Sequence, residues 1–314
     1  MGQESGTGKY EQLVRECKNL APVTCAVVHP CEKSALLGAV EAGAAGLIKP
    51  LYVGPRARIA QTAKEAGIEL DAACIIDAPH SHAAAEQAVA LVREGRAELL
   101  MKGSLHTDEL LGAVVARDSG LRTGRRISHV FLMDVPTYPK VLMVTDAAIN
   151  ITPALEDKVD ICQNAIDLAI SLGLKVPKVA ILAAVETVTS KMPATIDAAA
   201  LCKMADRGQI NGALLDGPLA FDNAISREAA LIKGIKSEVA GDPDILLVPD
   251  LESGNILAKL LSFLSRADSA GVVVGARVPI ILTSRADSVR ARIASCAVAM
   301  RAAHARRTAA PVAG

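Results

Sequence analysis

Short runs of Val, Ile, Leu and Met alternate along this chain with Ala-rich stretches whose polar residues recur at helical spacing. Runs that lack a polar residue at every second position suit strands buried on both faces, as in a parallel sheet. The pattern predicts strands at 24–29, 49–54, 73–78, 97–103, 128–135 and 140–148. It predicts five more at 178–184, 212–218, 244–250, 270–276 and 279–284. Helices are expected between them, among others at 32–45, 81–94, 154–172, 226–235, 254–266 and 285–303. Such alternation makes an α/β protein with parallel sheets and right-handed crossovers.

Eleven strands are many for one open sheet, so two α/β domains are expected. The turn-rich PTYPK (136–140) marks one crossing and the close strand pair in GVVVGARVPIILTS (271–284) the other. The expected division is 1–134 with 279–314 as the first domain and 135–278 as the second.

Composition sharpens this picture. Aromatic residues make up 2% and Trp is absent, so the core must be built from Ala, Val, Leu and Ile. The 34 basic and 34 acidic residues cancel, which leaves no global field for nucleic acid or an anionic membrane. A small anion needs only local charge. The seven Cys (17, 25, 31, 74, 162, 202 and 296) contain no C-x-x-C pair and read as reduced thiols. MGQESGTGKYEQ at the start has no apolar signal region, and no apolar run reaches the roughly 18 residues of a membrane helix. A cytoplasmic protein is expected.

Several motifs carry candidate chemistry. GTGK (6–9) lacks the spacing, the preceding strand and the following Ser or Thr of a phosphate loop, and no G-x-G-x-x-G follows a strand. Asp77, His80 and His82 form an incomplete metal set, better read as a helix start capped by Ser81, so no metal site is expected. Lys102 and Gly103 stand where a strand yields to a helix, an anion-binding corner if the Gly admits close approach. An ordinary turn with Thr107 as helix cap fits the same spacing. Asp146, Asp216 and Asp222 each end an apolar run and either orient a ligand or cap a helix. Asp250, Gly254, Asn255 and Lys259 follow another strand, with Asn255 and Lys259 on one helical face. Finally, the run PIILTS (279–284) ends in Ser284, Arg285 and Asp287. A polar trio at the carboxyl end of a buried strand is where open α/β sheets bind ligands. Without G-x-S-x-G or a patterned His partner, Ser284 reads as a donor at a helix start and not as a nucleophile. Arg285 beside it can clamp a phosphate with its planar fork.

Six motifs in order, LMKGSLHTDEL, VTDAAIN, AVETVTSKMPATIDA, DGPLAFDNAIS, LVPDLESGNILAK and ILTSRADS, resemble the phosphate acetyl/butyryltransferase family, the phosphotransacylases. The likeness runs from about Tyr10 to Arg301 and looks closest to the butyryl-type branch. It is also similar to the C-terminal part of enoyl-CoA hydratase fusions. The resemblance implies two three-layer α/β/α domains with a cleft between them, a fold like isocitrate and isopropylmalate dehydrogenases, and homo-oligomers built from dimers. It implies direct transfer in that cleft of a short acyl group, acetyl to butyryl: acyl-CoA and phosphate give acyl phosphate and CoA. No metal or cofactor is expected, coenzyme A being a substrate. Ser284, Arg285 and Asp287 are the catalytic residues it suggests. The family's PDL…GN…K segment matches Asp250, Gly254, Asn255 and Lys259. With Lys102, Gly103, Asp146, Asp216 and Asp222 from the motif reading, these are the residues expected to bind substrate and CoA. This chain departs from the acetyl-type pattern at Ala291, seven positions after Ser284, where those enzymes carry Asp, and at Gly112, where they carry Arg. Two other functions compete: a metal- and NAD-dependent β-decarboxylating dehydrogenase, and a non-catalytic CoA-binding relative.

Overall fold

The structure is a computed structural model that describes residues 8–17, 19–283 and 287–308. In chain order its strands are β1 (Val23–Val28), β2 (Ile48–Gly54), β3 (Ile75–Asp77), β4 (Leu99–Lys102), β5 (Ser128–Asp134) and β6 (Leu142–Thr145). They continue with β7 (Lys178–Leu182), β8 (Leu214–Leu219), β9 (Ile245–Leu247), β10 (Asp268–Val274) and β11 (Ile280–Ile281). The helices are α1 (Lys9–Cys17), α2 (Lys33–Ala44), α3 (Arg56–Ala66), α4 (Ser81–Arg93), α5 (Thr107–Val114) and α6 (Leu155–Ser171). After them come α7 (Pro193–Asp206), α8 (Phe221–Ile225), α9 (Arg227–Ile232), α10 (Leu251–Phe263) and α11 (Val289–Thr308). The class is α/β, as the pattern of apolar runs requires.

The chain forms two compact units. One holds Tyr10–Arg125 and the stretch from Ala270; the other holds Arg126–Ser269 with the residues up to Lys9. The changeovers therefore fall at 125/126 and 269/270, ahead of the expected 134/135 and 278/279. The reason is visible at both expected crossings. PTYPK is the link of an antiparallel β5–β6 hairpin inside one unit, and residues 275–279 link β10 to β11 in an antiparallel pair. So short a link cannot carry a parallel crossover, so these pairs also depart from the expected parallel pairing. The PTYPK link is held in place: the Tyr138 hydroxyl donates to the Pro243 carbonyl at 2.7 Å, and Lys140 lies 2.8 Å from an Asp244 carboxylate oxygen.

In the first unit the strands are ordered β3-β2-β1-β4-β11-β10. The chain steps outward from β1 to β3, then returns across the sheet to place β4 on the other side of β1. With right-handed crossovers, α2 and α3 cover one face and α4 the opposite one. Helix α11 packs with α2, and α5 with α4. Val23, Val27, Leu36, Ile59, Leu91, Leu99 and Leu100 are fully or almost fully buried among them. Helix α11 begins at Val289 and not at 285, because the Ser288 hydroxyl accepts from the Ala291 amide at 3.1 Å and caps it. Its small residues Ala294, Ser295, Cys296, Ala297, Ala299 and Ala302 are all buried, so neighbours approach it from several sides. Helix α1 lies along it through Arg290–Glu11 at 2.7 Å, with the Arg290 guanidinium 3.8 Å above the Tyr10 ring.

In the second unit the order is β5-β6-β9-β7-β8, with β6, β9, β7 and β8 parallel. Its core contains Met133, Leu142, Val144, Leu182, Leu219, Leu246, Val248 and Leu261, with Phe131 and Tyr138 against its edge. Strand β8 runs on through Asp216-Gly217-Pro218 to Leu219, one residue past the expected end at 218. An edge strand tolerates proline because one of its sides needs no ladder donor. Gly217 is required by packing, since a Cβ there would sit 2.8 Å from Ile181 Cβ.

Candidate active site

The first unit carries its switch of strand order between β1 and β4, and open α/β sheets receive ligands outside the carboxyl ends at such a point. Here the backbones come unusually close. The Gly103 amide donates to the Val28 carbonyl at 2.9 Å, and the Ser104 amide to His29 O at 3.0 Å. A Cβ on Gly103 would lie 2.3 Å from Val28 O and 2.7 Å from His29 O, so only glycine fits. The Ser104 hydroxyl donates to His29 O at 2.7 Å and accepts from the Cys31 amide at 3.0 Å. These bonds hold His29 with φ of 53°, a left-handed conformation uncommon outside glycine. His29 is 7% exposed. Burial first, and Arg58 second, hold its imidazole below the ordinary range and favour the neutral ring, against Glu109 and Glu32.

Beside this junction lies a small pocket of about 20 Å³, room for one or two waters. Its walls come from four places in the chain. The first turns of α2 contribute Glu32, Ser34, Ala35 and Gly38, and β4 contributes Met101, Lys102 and Gly103. Thr283 follows β11, and Arg292 reaches in from α11. Two cations and one carboxylate leave a net positive lining, and the first-turn amides of α2 add partial positive charge. Arg292 is 8% exposed, and its Nη1 donates to the Ser34 carbonyl. The lining suits a small anion in charge.

Sequence reasoning found Lys102 and Gly103 here and missed Arg292, Glu32 and Thr283. One signal for Arg292 was present: it lies one helical turn before Ser295 and Cys296, on the apolar face of α11. Gly38 inside a helical pattern was a second. Asp287 is half-buried just before the α11 cap. Ser284 and Arg285 lie outside the described residues.

The other expected residues fall in the second unit, and most hold the fold together. Asp146 is 3% exposed; its carboxylate accepts from the Ala148, Ile149 and Asn150 amides at 3.0, 3.2 and 3.1 Å. Asp250 caps α10 by accepting from the Ser253 amide at 2.8 Å, which starts the helix at Leu251 and not at 254. Asn255 donates to the Ala147 carbonyl at 3.0 Å, and a Cβ on Gly254 would sit 2.7 Å from Asp146 O. Asp146, Asp250, Gly254 and Asn255 thus form one joint between the loop after β6 and the start of α10. Asp216 accepts from its neighbour's amide, Gly217 N, at 2.9 Å. Asp222 pairs with Lys233 at 3.1 Å, as does Glu186, and these bonds hold both carboxyls below their usual range. Lys259 is exposed.

The weighed metal set is otherwise engaged. His80, and not Ser81, caps α4 by accepting from the Ala83 amide at 3.2 Å, and Asp77 accepts from the Arg56 amide at 2.9 Å. His106, and not Thr107, occupies the cap position of α5, with Asp108 and Glu109 in its positive first turn. Among the described residues no group of three or more His, Cys, Asp or Glu is arranged to hold a metal ion.

An α/β scaffold with a small cationic pocket at the carboxyl edge of parallel strands offers a place suited to a small anionic group. Comparison with known proteins makes this specific. The family described as phosphate acetyl/butaryl transferase matches residues 81–300, so the chain belongs to the phosphotransacylases and is an acyl-transferring enzyme. It is 63% identical over 305 residues to a phosphate acetyltransferase of Rhizobium meliloti, covering 97% of this chain and 96% of that one. A phosphate butyryltransferase of Clostridium beijerinckii is 40% identical over 290 residues, 92% of this chain and 96% of its own. Among solved structures, a branched-chain phosphotransacylase from Enterococcus faecalis V583 superposes with a TM-score of 0.78 at 31% identity, over 90% of this chain and 99% of that one.

Proposed function

We propose that this enzyme moves a short acyl group, acetyl to butyryl, between coenzyme A and phosphate, with the reacting groups assembled where the chain leaves β11. The observation that carries this reading is the cationic pocket lined by Lys102, Gly103 and Thr283, because Thr283 immediately precedes Ser284 and Arg285 in the sequence. In this reading Arg285 holds the phosphoryl oxygens and Ser284 donates to the thiol sulfur or to the developing oxyanion. Asp287 accepts the thiol proton as the sulfur attacks, since a thiol with a pKa of about 8.5 is mostly protonated at neutral pH. The acyl group passes directly between substrates. Burial pushes the Cys17 thiol up to about 11 and those of Cys162, Cys202 and Cys296 to about 12, which does not suit them to act as acyl carriers. Coenzyme A serves as a substrate, with no metal or other cofactor in the chemical step.

The test is release of free thiol from acetyl-, propionyl- and butyryl-CoA with and without inorganic phosphate. Release that requires phosphate is expected. No release, or equal release without phosphate, would overturn the reading. Arg285→Ala is expected to abolish the phosphate-dependent rate, and Asp287→Asn to slow it roughly 10²-fold.

We also infer a homodimer in a reducing, cytoplasmic setting. All seven thiols are unbridged. Helix α10 turns Ile256, Leu260, Phe263 and Leu264 outward on one face, between 45% and 79% exposed. A contiguous apolar stripe of this kind favours a second copy of the chain over water. Among the described residues no helix is long and apolar enough to cross a membrane.

A further inference from the structure

The arginine at position 292 lies outside the residues that the motifs single out, yet the fold makes two concessions to bring it into the pocket. The first is burial: only 8% of Arg292 is exposed, and taking a guanidinium out of water carries a desolvation cost. The second is Gly38. Glycine inside a helix is unfavourable relative to alanine, but a Cβ at this position of α2 would stand 2.8 Å from Arg292 Cδ and 3.6 Å from Nη1. The glycine clears the path along which the side chain crosses α2. Once across, the guanidinium is oriented by donating to the Ser34 carbonyl, and it shares the pocket wall with Lys102. If packing alone were at stake, an aliphatic side chain would fill the same volume without the desolvation cost of a charge.

We propose that Arg292 is a further anchor, beside Arg285, for the phosphoryl group of inorganic phosphate, or of acyl phosphate in the reverse direction, with Lys102 as a second cation in the pocket and Gly38 as the position that lets it reach. The assignment rests on the transferase reading above and adds to it a binding residue and the subsite it serves. A guanidinium meets two oxygens of a tetrahedral phosphoryl group at once, whereas an ammonium acts as a point charge. Lysine at 292 therefore restores part of the function and alanine none.

Steady-state kinetics with phosphate and acyl-CoA varied separately tests this on the wild type and on Arg292→Ala, Arg292→Lys and Gly38→Ala. For Arg292→Ala the KM for phosphate rises about 10- to 100-fold, the range expected for loss of charge-assisted hydrogen bonds, while the KM for acyl-CoA stays within about twofold. Arg292→Lys falls between it and the wild type. Gly38→Ala, which keeps the arginine but blocks its path, shows the same phosphate-specific defect. A KM for phosphate unchanged in all three variants overturns the proposal, as does a rise confined to acyl-CoA. Inorganic phosphate alone provides a second readout, because a ligand bound to the native state raises the melting temperature. That rise is expected in the wild type and lost in Arg292→Ala; its persistence in a folded Arg292→Ala overturns the assignment. Should the wild type release no thiol but still be stabilised by phosphate, the acyl-transfer reading fails while the anion subsite stands.

Discussion

Single atoms decide several outcomes in this protein. Gly103 is the clearest: its missing Cβ lets β4 deliver the Ser104 hydroxyl to the carbonyl of His29. Gly103→Ala is expected to destabilise by about 1–3 kcal/mol through overpacking, seen as a lower melting temperature together with lost activity. His29 gives a pH dependence of definite sign. Its imidazole titrates below its ordinary value of 6.5 in the folded chain, so the unfolded chain binds the extra proton first. The stability it contributes is complete above 6.5 and is lost as pH falls from there through the lowered folded value. His29→Gln is expected to flatten the acid side of the melting temperature against pH, starting just below 6.5; an unchanged slope would show that other groups govern it. The carboxylates behave differently from one another although their sequence contexts look alike. Asp146 serves three backbone amides of its own loop, whereas Asp222 sits in an exposed ion pair with Lys233.

At the scale of elements, helix ends account for much of what the motifs encode. The sequence DLESGN carries the start of α10: Asp250 caps it, Gly254 allows the close approach to Asp146 O, and Asn255 bonds the Ala147 carbonyl. Asp250→Ala is expected to cost about 0.5–2 kcal/mol, with Asp250→Ser recovering most of it, as chemical denaturation would measure. A large loss of activity at full stability would instead mark Asp250 as a ligand contact. Strand existence was legible throughout, because apolar runs fully buried in a sheet announce themselves locally. Pairing direction was not. The hairpins β5–β6 and β10–β11 follow from short links, and the apolar runs flanking them read the same in either direction.

For the whole molecule, the outward stripe on α10 predicts that light scattering gives a dimer mass, and that Phe263→Asp shifts it toward the monomer while each chain stays folded. A wild-type monomer at micromolar concentration would end that inference. Thiol chemistry is a second global property. Five of the seven cysteines are buried, so an aromatic disulfide reagent should label native protein slowly and denatured protein at all seven positions. That quiet background is also what a CoA-release assay needs. The order of apolar runs, small residues and turn formers fixed by itself the α/β class, the strands to within a few residues, and the Lys102-Gly103 corner, since each depends on neighbours close in sequence. The fold alone decided which carboxylates became caps and which arginine entered the pocket. Arg292 meets the Ser34 carbonyl across 258 residues of chain, and no local pattern records a contact closed over that distance.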